Sequence, residues 1–190
     1  MSRVFLWIGI IILSILIFKI STFSGEEKHE NMKPVPVEFV NLERYAGLWY
    51  EIAKIPNRFQ RKCVSGTTAQ YSLREDGRID VVNRCLDREG KPIEAKGIAR
   101  IMDAKSNAKL KVSFVSIFGK YLFWGDYWII GLDQSYNYAV IGGPTHKYGW
   151  ILSRQPRLTS EELEKIFSIL REQGYDPANF EMTEQSQIRQ

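Results

Sequence analysis

The chain has 190 residues, 26 of them basic and 22 acidic, for a net charge of +4. The basic residues are interleaved with acidic ones, and no basic helix, finger spacing or aromatic ribonucleoprotein motif occurs, which argues against nucleic acid as a partner. Two cysteines (Cys63, Cys85) and two distant histidines (His29, His146) are too few and too scattered for a zinc site, and no metal or cofactor is expected.

The first element is almost pure hydrocarbon. Val4 to Phe18 is 15 residues without a charge, preceded by Arg3. As a helix it spans about 22 Å, short of the roughly 30 Å of a hydrocarbon core. Continuing to Phe23 gives 20 residues with Lys19 as the sole charge, and about 30 Å. The run reads as a cleaved secretory signal, with Thr22-Phe23-Ser24 as its small-x-small site, or as an uncleaved anchor. Its apolar character on every side disfavours a buried core helix. The anchor is favoured. Residues 1–24 are assigned to this segment, 25–36 to a polar tether, 37–182 to one domain and 183–190 to a polar tail. The domain's 146 residues suffice for a single sizeable core.

Past the tether the pattern becomes short alternating runs. Strands are expected over Leu48–Ile55, Val64–Arg74, Arg78–Leu86, Pro92–Met102, Lys109–Ile117, Tyr127–Leu132, Tyr138–Gly143 and Gly149–Arg154. No helical pattern intervenes, which excludes parallel βαβ units. Eight antiparallel strands with one apolar face form a sandwich or close into a barrel, and closure removes the exposed edges. A helix follows. Thr159 and Glu162 make a capping box, Leu163, Ile166, Phe167 and Leu170 form one stripe, and Gly174 ends it. Its stripe is expected against the barrel's outer wall.

Asp76-Gly77 is a strong hairpin signal. With that pair as the turn centre, partner numbers sum to 153 and Cys85 faces Thr68. Cys63 must then fold back from the lead-in to reach Cys85. A bridge is favoured in an oxidising compartment; two buried free thiols are the alternative.

The segment Leu42-Glu43-Arg44-Tyr45-Ala46-Gly47-Leu48-Trp49-Tyr50 resembles the first signature of the lipocalin family, a Gly-x-Trp opening the first strand. Gly131 to Val140, with Asp133 in a turn between late strands, resembles the second. Leu132-Asp133-Gln134 replaces the usual Thr-Asp-Tyr there. Trp150-Ile151-Leu152-Ser153-Arg154 resembles the third. The subgroup is that of bacterial outer-membrane lipocalins and apolipoprotein D-like proteins. The resemblance implies an all-β, eight-stranded up-and-down barrel with the helix on its outside. It also implies a closed end of Gly47, Trp49, Asp133 and Arg154, with the arginine over the tryptophan face. Outer-membrane members carry an N-terminal lipidated cysteine, which Cys63 and Cys85 cannot supply. The apolar segment is then the expected membrane attachment, on the periplasmic side of the cell envelope.

The resemblance further implies a hydrophobic ligand inside the barrel. Candidate contacts are Arg58, Phe59, Tyr71, Phe114, Tyr121, Trp124, Tyr127 and Trp150. The open end is expected to consist of the Pro56–Lys62, Phe118–Gly125 and Pro144–Gly149 loops. Arg58, Arg61, Lys62, Lys120 and Lys147 make that mouth basic, which suits a fatty acid or lysophospholipid. Aromatic residues that simply fill the barrel are the alternative, leaving a membrane-tethered interaction module. No catalytic residue is assigned. His146 is the sole histidine of the domain, and no nucleophile motif occurs, so an enzyme acting on a small hydrophobic molecule is the weaker reading.

Overall fold

The computed structural model describes residues 32–185. The signal, anchor and tether readings for residues 1–31 lie outside the described residues. Among the described residues, no helix is long and apolar enough to cross a membrane.

Period-two alternation organises the domain. The strands in chain order are β1 (Gly47–Lys54), β2 (Ser65–Leu73), β3 (Ile79–Leu86), β4 (Pro92–Ile101), β5 (Lys109–Ser113), β6 (Val115–Ile117), β7 (Lys120–Leu122), β8 (Gly125–Leu132), β9 (Tyr138–Gly142), β10 (Trp150–Ser153) and β11 (Glu181–Met182). Eight of them run β10-β9-β8-β5-β4-β3-β2-β1, with β1 pairing back to β10. All these pairings are antiparallel, so the sheet is a closed barrel. Inward residues such as Trp49, Tyr71, Val81, Ala99, Ile129 and Leu152 form one apolar core. The short helix α1 (Leu42–Tyr45) precedes β1, and Asn41 caps it by accepting from Arg44 N.

Helix α2 (Ser160–Glu172) forms where expected, with both halves of the Thr159–Glu162 capping box made. Ile166 and Leu170 are fully buried against the outward side chains Ile130, Val140 and Ile151, with Leu163 and Phe167 flanking them. Each such burial contributes roughly 1.5–3 kcal/mol, which makes this a second apolar layer outside the barrel.

The β2–β3 hairpin differs by one residue from the expected register. Leu73 pairs with Ile79 and Ala69 with Asn83, so partners sum to 152. The cause is Gly77, which sits at φ +76° behind a three-residue loop. Gly77 N donates to Arg74 O, and Arg74 N donates to Arg78 O. This is a type I turn followed by a bulge, not a two-residue turn. Arg84, not Cys85, therefore faces Thr68. A second irregularity between Ser65 and Thr68 brings the lead-in beside β3, where Cys63 and Cys85 are bridged with their Cα atoms 5.4 Å apart.

The seam of the barrel is also unforeseen. Along one edge of β1, Gly47–Tyr50 pair with β2; along the other, Tyr50–Lys54 pair with β10 across a bulge between Glu51 and Ala53. Beyond Tyr50, β2 leaves its edge of β1, and β11 takes its place against Ala53 and Lys54. Thr183 N donates to Ile52 O and Gly66 N to Glu184 O. Gln185 Nε2 donates to both Glu51 O and Thr67 O. Thr183–Gln185, expected as loose tail, thus complete the wall, and residues 186–190 lie outside the described residues.

Candidate ligand-binding site

The closed end is built on Trp49 and Arg154. Trp49 is fully buried and donates from Nε1 to Tyr45 O at 2.8 Å. The Arg154 guanidinium carbon stands 3.8 Å from the Trp49 ring centroid. Its nitrogens donate to Leu48 O, Arg44 O, Tyr45 O and Ala46 O at 2.7–3.1 Å. One cation thus covers the indole face and ties down the backbone that enters β1. Gly47 lies at φ +97°, and a Cβ there would meet Arg154 Nη1 at 3.3 Å, so the glycine is required on both counts. Asp133 shapes the β8–β9 turn by accepting from Ser135 N and Asn137 N. Asn137 O then accepts from Arg154 N, which links the turn to the plug.

Above the plug lies a tyrosine layer. The hydroxyls of Tyr45 and Tyr71 are 2.7 and 2.9 Å from that of Tyr127, and all three residues are buried. The space left among them, Leu42, Ile79, Leu110 and Ile129 is about 10 Å³, at the lower limit for a single water. The lower half of the barrel is therefore packed. Tyr71 and Tyr127, expected as ligand contacts, are committed to this layer and present only its upper surface.

Burial pushes all three hydroxyls up, Tyr71 to about 12. In the unfolded chain each ionises near its ordinary 10. The folded form keeps its protons longer, so stability is full below pH 10 and is lost as pH rises toward 12. Tyr71 alone accounts for roughly 2–3 kcal/mol of this loss. Denaturant unfolding at about pH 9 and about pH 12 measures it; equal stability at the two would mean a water-filled layer.

The upper half is different. Ala95 points inward by its alternation with Ala99 yet is exposed. Phe114 lies on the inward side of Gly97, where a Cβ would come within 2.8 Å of its ring, and is still 39% exposed. Trp150 stands on the opposite wall, paired with the core residue Ile141, and stacks on Tyr148 at 6.2 Å and 19°. Tyr148 contacts Phe59, over whose ring the Arg58 guanidinium lies. Three expected residues, Arg58, Phe59 and Trp150, are thus brought together at the rim, with Phe114 across from them.

Tyr121 and Trp124 are not at the mouth. β5 stops at Ser113, whose hydroxyl donates to Leu122 O, and β8 begins beside Val112. The intervening ribbon folds over the outside of the barrel. Arg100, outward on β4, stacks on Trp124 at 4.3 Å, and Trp124 Nε1 donates to Tyr121 O. Ile98 and Ser113, an outward cross-strand pair, are each 1% exposed beneath it. The expected Phe118–Gly125 mouth loop, with Lys120, is this ribbon. His146 is also turned outward, its Nε2 donating to Gln173 O at 3.0 Å beside the Tyr175 ring.

A polar group inside the upper barrel was missed. Glu51, 3% exposed, accepts from Gln60 Nε2 at 2.6 Å, Thr183 Oγ1 at 2.7 Å and Lys54 Nζ at 3.0 Å. Gln60 Oε1 in turn accepts from Trp150 Nε1 and Asn57 Nδ2. Nearby on the inward alternation of β2 and β3, Thr67 Oγ1 and Asn83 Oδ1 are buried without a partner. The signals were in the alternation: Glu51 follows Trp49 by two, and Asn83 follows Ile79 and Val81. The upper barrel is thus amphipathic, apolar at Phe114 and the tyrosine floor and polar along β1 and β3.

Comparison with known proteins agrees with this geometry. The lipocalin-like domain family matches residues 40–185. Over 153 residues, 79% of this chain and 82% of the relative, the chain is 42% identical to temperature-induced lipocalin-1 of Arabidopsis thaliana. It is 38% identical over 141 residues to the outer membrane lipoprotein Blc of Escherichia coli (strain K12), covering 74% of this chain and 76% of that one. Apolipoprotein D of Mus musculus is 32% identical over 176 residues, covering 87% and 89%. Among solved structures, insecticyanin of the tobacco hornworm Manduca sexta superposes with a TM-score of 0.65 at 24% identity, covering 82% of this chain and 85% of that one. With its Gly47–Trp49 entry, its Trp49–Arg154 plug and a closed eight-stranded barrel, the chain belongs to the lipocalin family.

Proposed function

We propose that the upper half of the barrel carries a hydrophobic ligand with a polar head, a fatty acid or lysophospholipid, at the cell envelope. The observation that carries this reading is the inward yet solvent-open surface of Ala95 and Phe114 above a sealed tyrosine floor. An acyl chain would lie on Phe114 and Trp150 and end on Tyr71 and Tyr127. The head would meet Arg58, Arg61, Lys62 and Lys147, all exposed. The role is binding and carriage. His146 is held against α2 and both cysteines are bridged, so neither offers a base or nucleophile to the cup. The apolar run of residues 4–23 supplies the attachment to the membrane, with the barrel on the periplasmic side. Blc, a relative, is named an outer membrane lipoprotein, which fits an envelope location without a lipidated cysteine here.

A fluorescent fatty acid bound to the protein should be displaced by lysophosphatidylcholine at micromolar concentration. Trp150→Ala should weaken both lipids about tenfold, the equivalent of one lost aromatic contact. No displacement at micromolar lipid ends this reading. The packed floor favours one second reading, an interaction module whose barrel is filled by its own side chains. Native mass spectrometry separates the two, since a co-purifying lipid is expected only for a carrier.

A further inference from the structure

The ribbon β6–β7 carries an apolar face that the barrel does not use. Val115 pairs with Leu122 and Ile117 with Lys120, so these four side chains share one face. That face is turned to solvent, with Val115 40%, Ile117 48% and Leu122 38% exposed. Tyr121 lies on the other face, its ring 6.4 Å from that of Trp124, which stacks on Arg100 of the barrel wall. Phe118, at the tip, is fully exposed, and Phe123, just past the ribbon, is 81% exposed.

The backbone adds an independent sign. Phe118 and Phe123 have φ of 50° and 56°, the left-handed region that bulky residues avoid. A glycine at either position would relieve the strain and the exposure together. Strained residues of this kind collect at functional sites, and clustered exposed apolar side chains mark interaction surfaces.

Composition selects the occupant. Between Ser113 and Gly125 there is no acidic residue, and Lys120 is the one cation. Aromatic and aliphatic side chains with a lysine suit the boundary between acyl chains and anionic headgroups. The free edges of a two-stranded ribbon need water or headgroups for their backbone groups, so the fit is shallow, at the interface.

We infer that the Val115–Phe123 ribbon is a second membrane contact of this protein. It dips Phe118, Phe123 and the Val115–Ile117–Leu122 face into an anionic lipid surface beside Lys120. The inference rests on the reading that residues 4–23 hold the chain at a bilayer, and it determines which side of the barrel faces the lipid.

The test uses the full chain reconstituted into phosphatidylcholine vesicles containing phosphatidylglycerol. Both native cysteines are bridged, so Phe118→Cys gives one thiol for a nitroxide, and Arg171→Cys on α2 gives a control. The label at 118 should be reached by oxygen and shielded from a water-soluble nickel chelate, and the label at 171 should show the reverse. Adding Phe123→Gly and Lys120→Gln to the labelled chain should raise nickel access at 118 several-fold without lowering the melting temperature. Equal nickel access at 118 and 171, no response to the added substitutions, or spin–spin broadening between two copies overturns the inference. In each case co-sedimentation still reads the anchor, and ligand displacement still reads carriage. A chain that stays in the supernatant overturns the ribbon's role together with the anchor.

Discussion

Truncating Trp49 to alanine should destabilise the protein by about 3–5 kcal/mol, the cost of emptying a large aromatic site in a packed core. The melting temperature should fall by roughly 6–20 °C, at about 2–4 °C per kcal/mol for a domain of this size. Arg154→Ala should cost about 3 kcal/mol. It removes charged hydrogen bonds to four carbonyls, where charged hydrogen bonds contribute about 1.5–3 kcal/mol, and it bares the indole face. Arg154→Lys keeps the charge but lacks the planar fork, so it should recover less than half of the loss. A double-mutant cycle between Trp49→Leu and Arg154→Ala should leave a coupling of about 1 kcal/mol, the cation–π share. A melting temperature near that of the wild type for Trp49→Ala would mean that the plug does not organise the closed end. Ligand affinity is a separate readout, since the plug lies below the tyrosine layer and no ligand reaches it.

Replacing Cys63 and Cys85 together by alanine should cost about 3 kcal/mol in the chain-entropy account, for a loop with a sequence separation of 22. The loss arises mainly in the unfolded chain, which gains freedom when the loop opens. It also has a folded-state consequence. The bridge holds the lead-in that carries Arg58, Phe59 and Gln60 against β3, alongside a backbone bond from Val64 N to Leu86 O. Gln60 connects that lead-in to Glu51 and Trp150. The double substitution should therefore weaken lipid binding as well as stability, whereas Trp49→Ala should affect stability first. Equal melting temperatures in oxidising and reducing buffer, with the thiols shown to be free in the latter, would remove the bridge from the account.

These effects divide along the line between local and long-range information. Sequence by itself determined the strand alternation, the capped helix after the strands and the closed-end pair Trp49 and Arg154, while the choice between a Cys63–Cys85 bridge and free thiols fell to the structure. Each rests on a local pattern: a period of two, a Thr159–Glu162 box, or short signatures in fixed order. Boundaries within one or two residues followed for most strands, because turn residues mark them. Only the tertiary structure decided the rest. Ser113 reads as strand interior, and its hydroxyl is captured by Leu122 O only once β5 has met β4 and β8, which sends Tyr121 and Trp124 outside the barrel. Thr183–Gln185 read as a polar tail, yet they complete a wall that opens where β2 parts from β1 beyond Tyr50. The alternation with Trp49 turns Glu51 inward, but its partners Gln60 and Thr183 are nine and 132 residues away. A pairing between groups so far apart has no local signature, because the free energy that selects it appears only when the barrel closes and water leaves.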